Sequence, residues 1–241
     1  DTGHYLTFPD MTAISLRDWL VSKRPTYQTR LQVALKLSQI LGQVHEARIT
    51  HKQITPDNIL INPTSGAVFI IDFSISTRLS REHPASGDAQ SHPENLPYIA
   101  PEQTGRINRY IDYRTDYYSL GITLYEMFTG RLPFTQRDNQ ALLHCHIARQ
   151  PTAPHLINPE LPKALSGIIL KLLAKDAAQR YQSSYGLYHD LNTCLSISST
   201  DNTDFPVGLK DLSERFELPQ SLYGRSSTVA ELKVCFDNVV K

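Results

Sequence analysis

Residues 51–74 read HKQITPDNILINPTSGAVFIIDFS, and the rest of the chain falls into place around them. Two short apolar runs, Ile59-Leu60-Ile61 and Val68-Phe69-Ile70-Ile71, flank the turn formers Asn62-Pro63-Thr64-Ser65-Gly66. Runs that short, separated by such a cluster, predict a small β-hairpin. Polar groups bracket it: His51-Lys52-Gln53-Ile54-Thr55-Pro56-Asp57-Asn58 before, Asp72-Phe73-Ser74 after. Upstream, Val33, Leu37, Ile40, Leu41, Val44 and Ala47 recur at helical spacing and predict a long amphipathic helix over 27–48. Ser15 and Asp18 stand at capping-box spacing before Leu16, Trp19 and Leu20, which marks a short helix, and 4–14 reads as a short strand running into a turn.

Downstream of Ser74 the chain is polar and aperiodic to about Tyr98, as functional or mobile segments are. From 100 to 197 it reads as helices. Leu120, Leu124 and Phe128 mark one, and another starts near Asp138. Leu165, Ile168, Ile169, Leu172 and Leu173 mark a third, and Leu187 to Leu195 a fourth. Residues 198–208 read as a polar linker. The fold class is therefore mainly α (α+β), with one small hairpin.

The 241 residues carry 24 basic and 24 acidic side chains, so no net charge draws the chain toward nucleic acid or an anionic membrane. Three scattered cysteines make no disulfide framework, and no apolar run reaches the roughly 18 residues of a membrane span. A cytoplasmic protein is expected. No G-x-G occurs anywhere and no glycine is followed by lysine, so neither a G-x-G-x-x-G loop nor a Walker A loop is present in this sequence. His144-Cys145-His146 invites a metal reading, but adjacent helical side chains diverge by about 100° and cannot converge on one ion. No structural zinc is expected, and Cys194 and Cys235 read as packing residues.

The order His51…Asn58, Asp72-Phe73-Ser74 and Ala100-Pro101-Glu102 resembles the protein-kinase signatures H-R-D-x-x-x-x-N, D-F-G and A-P-E. Asp116, in Asp-Tyr-Tyr-Ser-Leu-Gly, and Arg180, after Leu173-Ala174-Lys175-Asp176, resemble two further family positions: the start of the central helix and the arginine that pairs with the A-P-E glutamate. The resemblance covers about residues 4–197. It implies the larger lobe of a serine/threonine-kinase-like domain, the C-lobe, preceded by a hinge remnant at 1–14. On that pattern Asn58 and Asp72 match the two Mg²⁺ ligands. Phe8 matches the residue at the back of the adenine pocket, Pro9-Asp10-Met11 match the hinge, and Leu60 would lie beneath the adenine ring. His51 and Phe73 match residues that stack between the loop and the following segment, and Glu102, Asp116 and Arg180 are implied to be structural.

The chain also resembles kinase modules of large cyanobacterial signalling proteins, in which an ATPase-like domain and a sensor histidine kinase follow. Pro101-Glu102-Gln103-Thr104-Gly105-Arg106 and Asp112-Tyr113-Arg114-Thr115-Asp116 resemble that subgroup. Leu222-Tyr223-Gly224-Arg225 resembles the beginning of the ATPase-like domain, which would occupy 216–241 after a linker at 198–215.

The departures are as informative. Gln53 stands at the catalytic aspartate's position, where a carboxamide cannot accept the substrate proton. Thr55 replaces the lysine two residues on, and Glu94 and Asn95 replace a glycine and a threonine; the aspartate, lysine and threonine touch one another in the family. Ser74 replaces the D-F-G glycine. With the hinge at 9–11, the smaller N-terminal lobe, with its glycine-rich loop and phosphate-binding lysine, is expected to be absent. The resemblance implies ATP and Mg²⁺ as cofactors, and these losses weigh against their binding here. The expectation is a pseudokinase-type module whose partners are proteins or its own downstream ATPase and histidine-kinase modules. The alternatives are an active serine/threonine kinase once an N-lobe is supplied, and a gene fragment without a role.

Overall fold

The structure, a computed structural model, describes residues 12–78, 81–82, 93–196 and 205–212. Phe8, the hinge positions Pro9 and Met11, the segment 216–241 and Cys235 lie outside the described residues.

The chain enters through β1 (Ile14–Ser15) and turns at once into α1 (Leu16–Lys23). Ser15 caps that helix reciprocally. Its hydroxyl accepts the Asp18 N–H at 3.0 Å and donates to the Asp18 carboxylate at 2.8 Å. Arg24, in the left-handed region at φ 44°, ends it. Thr26 then caps α2 (Tyr27–Glu46), which buries Leu31, Ala34, Leu37, Leu41 and His45 along one stripe. The hairpin forms as β2 (Ile59–Ile61) and β3 (Val68–Ile70), antiparallel with Ile59 opposite Ile70. Asn62 builds its turn, its carboxamide oxygen accepting the N–H groups of Thr64 and Ser65 at 2.7 and 2.9 Å. β1 pairs with β2, so the sheet has three strands in the order β1-β2-β3.

Helical elements make up the rest of the described residues' regular structure. Pro93–Tyr98 and Pro101–Thr104 are 3₁₀ turns that lead into α3 (Arg114–Thr129). α3 is buried on nearly every side, as the central helix of a core must be. At Gly121 it approaches α6 (Lys163–Leu172) so closely that a Cβ would stand 2.8 Å from that of Leu172. α4 (Asn139–Ala148), capped by Asp138, and the short α5 (Pro154–Ile157) lie between them in sequence. α7 (Ser184–Ser196) packs along α2. Most buried apolar residues form one core, and a smaller cluster of Leu96, Ile99, Phe134, Leu142, Leu143 and Cys145 sits beneath the 3₁₀ turn at 93–98. None of the described helices is long and apolar enough to cross a membrane.

The stretch expected to be a polar linker ends in a docked strap. Phe205 and Val207 pack on the core, and the Gly208 N–H donates to Asp190 at 2.7 Å. Asp211 then reaches the N-terminus of α7. Its carboxylate accepts the N–H groups of Gln182 and Ser183 at 2.9 Å each and the Ser183 hydroxyl at 3.1 Å. Only glycine fits at 186, because a Cβ there would lie 2.6 Å from the Asp211 Cα.

Candidate active site at the 51–58 loop

Asp116, in the first turn of α3, is wholly buried and organises the loop that follows α2. Its carboxylate accepts the N–H of His51 at 2.9 Å and of Lys52 at 2.7 Å, and meets His45 Nε2 at 2.9 Å. Those bonds hold Lys52 in the left-handed region, φ 70°, a conformation that costs free energy in a residue with a Cβ. Two more anchors fix the loop carbonyls: Gln103 Nε2 donates to Lys52 O at 2.9 Å, and the Thr123 hydroxyl to Ile54 O at 3.0 Å. Asp116 is fully occupied in positioning backbone.

His51 is likewise consumed by structure. Nδ1 accepts the Gln53 N–H at 3.2 Å and Nε2 donates to Ile71 O at 2.9 Å, which specifies the neutral tautomer. Burial lowers its pKa against the raising pull of Asp116, in keeping with that tautomer. Its ring meets Phe73 edge-on at 4.6 Å between centroids. Neither nitrogen is left for acid–base work.

Asn58 and Asp72 are drawn together by the backbone, the Ile71 N–H donating to Asn58 O at 3.0 Å. Asn58 turns its amide nitrogen onto Gln53 O at 3.1 Å, which aims the amide oxygen away from the loop. Asp72 sits at φ 63° with one carboxylate oxygen accepting the Ser74 N–H at 3.3 Å. An amide oxygen and a carboxylate oxygen are hard donors suited to a divalent cation that keeps several waters. Leu60 is half-buried between the buried Ile59 and Ile61, so it faces the opposite side of the sheet from the core.

Gln53, Thr55 and Asn95 line a single cavity of about 430 Å³, with Lys52, Ser74 and Glu82 also in its wall. Three of the positions at which this chain departs from the kinase signatures are thus neighbours in space. Among the described residues the Gln53 carboxamide makes no hydrogen bond, and the buried Asn95 Nδ2 has no partner. Thr55 is buried, its hydroxyl accepting the Asn58 N–H at 3.3 Å. Its place holds a hydroxyl within the loop, with no cation reaching out of it.

Glu102 and Arg180 form a buried, two-point ion pair at 2.6 and 2.8 Å, and Thr115 donates to the same carboxylate at 2.8 Å. Burial alone would raise the Glu102 pKa, but the charge and hydrogen bonds of Arg180 outweigh it and hold it below 4.5.

Two charged clusters carry no signal in the sequence. Arg17 on α1 holds Asp57 through two bonds of 2.9 Å and also contacts Tyr98 and Glu126, while the Tyr98 hydroxyl donates to Glu126 at 2.5 Å. Lys52 pairs with Glu82 at 3.0 Å, and Glu82 is itself bridged to Ile111 through both backbone bonds. The Arg17–Asp57 and Lys52–Glu82 pairs join residues 40 and 30 positions apart, so no local spacing announces them.

A family model described as the protein kinase domain matches residues 2–191. The chain belongs to the protein kinase family. This kinase domain is 31% identical over 212 residues to a probable serine/threonine-protein kinase of Clostridium perfringens, covering 85% of this chain and 30% of that protein. It is 31% identical over 192 residues to a probable serine/threonine-protein kinase of Streptomyces coelicolor, covering 79% of this chain and 28% of that one. A hybrid signal transduction histidine kinase of Dictyostelium discoideum is 36% identical over 166 residues, 60% of this chain and 5% of that protein. The chain therefore spans less than a third of the length of each of these relatives. The helix-rich body with its small antiparallel sheet is compatible with a kinase fold, and relatives in the serine/threonine branch support a kinase-like function.

Proposed function

We propose that this kinase domain is a pseudokinase-type signalling module that retains the scaffold and has lost the proton-accepting and phosphate-contacting groups. The observation that carries the reading is the shared cavity of Gln53, Thr55 and Asn95. A carboxamide at the base position removes an effect worth roughly 10²–10⁴-fold. Thr55 in the lysine's place removes the charge that would meet the transferred phosphoryl group. The intact Asp116 anchor and Glu102–Arg180 pair keep the same loop in shape, so what is preserved is a surface.

Asn58 and Asp72 fit a magnesium ion with bound nucleotide, and the metal would supply charge neutralisation to the phosphates. Their retention favours a second reading, an ATP-dependent serine/threonine kinase of reduced rate, since phosphoryl transfer rests mainly on positioning and electrostatics. The hybrid histidine kinase among the relatives supports a place for this module in a multidomain sensor chain, such as the cyanobacterial type with ATPase-like and histidine-kinase modules.

The two readings separate in the full-length protein assayed for transfer from ATP to protein. Transfer at background, unchanged by Asp72→Ala, is the expected result. Gln53→Asp alone should gain less than about tenfold, and Gln53→Asp with Thr55→Lys and Asn95→Thr should gain more, because the base is one of three missing contacts. Robust transfer in the natural protein that Asp72→Ala abolishes would refute the pseudokinase reading.

A further inference from the structure

A second cavity, of about 400 Å³, opens on a different face of the domain, between the end of α2, the start of α3 and the start of α7. Tyr113, Tyr117, Tyr185 and Tyr188 contribute rings to its wall, with His45 at its base and Glu46 at its rim. Its size is within the range of small-molecule sites, roughly 300–1,000 Å³. Nothing in the proposed function uses it.

Its chemistry is one-sided. No lysine or arginine lines it, and Glu46, exposed at the last position of α2, enters no ion pair or hydrogen bond among the described residues. The carbonyl end of that helix adds negative potential beside it. The amino end of α7 borders the same cavity and would ordinarily attract an anion. Here the Asp211 carboxylate already occupies the N–H groups of Gln182 and Ser183, so that attraction is cancelled. His45 Nε2 is held by the Asp116 carboxylate at 2.9 Å.

The rings reinforce the bias. Tyr113 and Tyr117, 6% and 1% exposed, stand at 83° to each other with centroids 5.9 Å apart and form the buried floor beside His45. Tyr185 and Tyr188, one turn apart on α7, supply partly exposed rings opposite, Tyr185 with 59% of its surface open. Aromatic faces attract cations through their quadrupole. One ring already does so here: the Arg114 guanidinium lies 5.7 Å from the Tyr113 centroid.

We infer that this tyrosine-lined cavity is a binding site for a small organic cation of the alkylammonium class. It stands independently of the pseudokinase reading, because no residue of the 51–58 loop or of Asp72-Phe73-Ser74 lines it.

Choline and its uncharged carbon isostere 3,3-dimethylbutan-1-ol, titrated into the 241-residue chain and followed by amide and tyrosine-ring NMR shifts, test it. Choline should saturate in the millimolar range, shifting Gln182, Ser184, Tyr185 and Tyr188, and bind at least about fivefold more tightly than the isostere. Glu46→Gln and Tyr185→Ser, both at exposed positions, should each weaken choline by about threefold or more without changing the melting curve. Tyr188→Leu should do the same, and because its ring also packs on the core, the two exposed variants decide if it fails to fold. A blocked lysine amide binding more tightly than choline would support the cation site and assign its source to a protein side chain. Equal binding of the isostere, shifts mapping elsewhere, or no loss in both exposed variants would overturn the proposal.

Discussion

Replacing Arg180 with methionine tests the electrostatic core of the domain with a sign as well as a size. Arg180 has no exposed surface, and its guanidinium donates to both oxygens of Glu102, to Arg114 O at 2.9 Å and to Ala174 O at 2.8 Å. Methionine fills much of the volume but leaves a buried carboxylate with only the Thr115 hydroxyl as a side-chain partner. Breaking a buried pair from one side costs about 3–5 kcal/mol. In a domain of this size each kcal/mol corresponds to about 2–4 °C, so the melting point should fall by roughly 6–20 °C. The sign comes from acid. In the natural protein the Glu102 pKa is held below 4.5, so its contribution is complete above that value and is lost as pH falls through the folded pKa. In Arg180→Met burial, opposed only by the Thr115 and backbone hydrogen bonds, pushes the carboxyl pKa up, so protonation relieves the variant as pH falls. Urea unfolding at several pH values should therefore show a stability gap that is widest near neutrality and narrows toward about pH 5. Glu102→Gln combined with Arg180→Met should recover at least about 2 kcal/mol, because the orphaned charge is gone. A gap below about 1 kcal/mol at neutrality, or one that widens in acid, would refute the reasoning.

Lys175 gives a pH response of the same sign in a more alkaline window. Burial, with the nearby charge of Arg180, lowers its pKa from 10.5 to about 8. Between those values the unfolded chain binds the proton more tightly than the folded one, so stability should rise with pH across that window. Lys175→Met should remove that rise, as measured by urea midpoints at either end of it. Asp211→Ala should cost about 1–2 kcal/mol by uncapping α7, with Asp211→Asn recovering part of it through a retained acceptor oxygen. Thermal melts of the three proteins check this, and an alanine variant as stable as the parent would show that the strap contributes nothing.

The parts of this fold that could be read from sequence are those built by neighbours in the chain. The caps at Ser15 and Asp138, the stripe on α2 and the turn at Asn62 each follow from residues within a few positions of one another. The order of the polar clusters was equally legible, and it sufficed to place Asp116 and Arg180. The strand expected over 4–14 lies mostly outside the described residues, and β1 at Ile14–Ser15, too short for alternation, shows itself through its pairing with β2. The Arg17–Asp57–Tyr98–Glu126 cluster draws on four separate segments, and no spacing links them. The strap at 205–212 read as linker because its composition is polar, whereas its docking depends on one carboxylate meeting two amides 28 and 29 positions away. At the candidate site, the sequence named Gln53, Thr55 and Asn95. That they share a cavity, and that Lys52 in its wall is tied to Glu82, is tertiary information.

The strap also bears on how this domain can be cut and joined. The kinase match closes at residue 191, and a boundary drawn there looks natural. It would sever α7 five residues before its end and discard the carboxylate that seals its beginning. Chimeras or isolated domains spliced at that point inherit a helix open at both ends, along with an α2–α7 contact that has lost its brace. Splicing after Leu212 keeps the unit whole, and it sets every appended module at one point on the α6–α7 face.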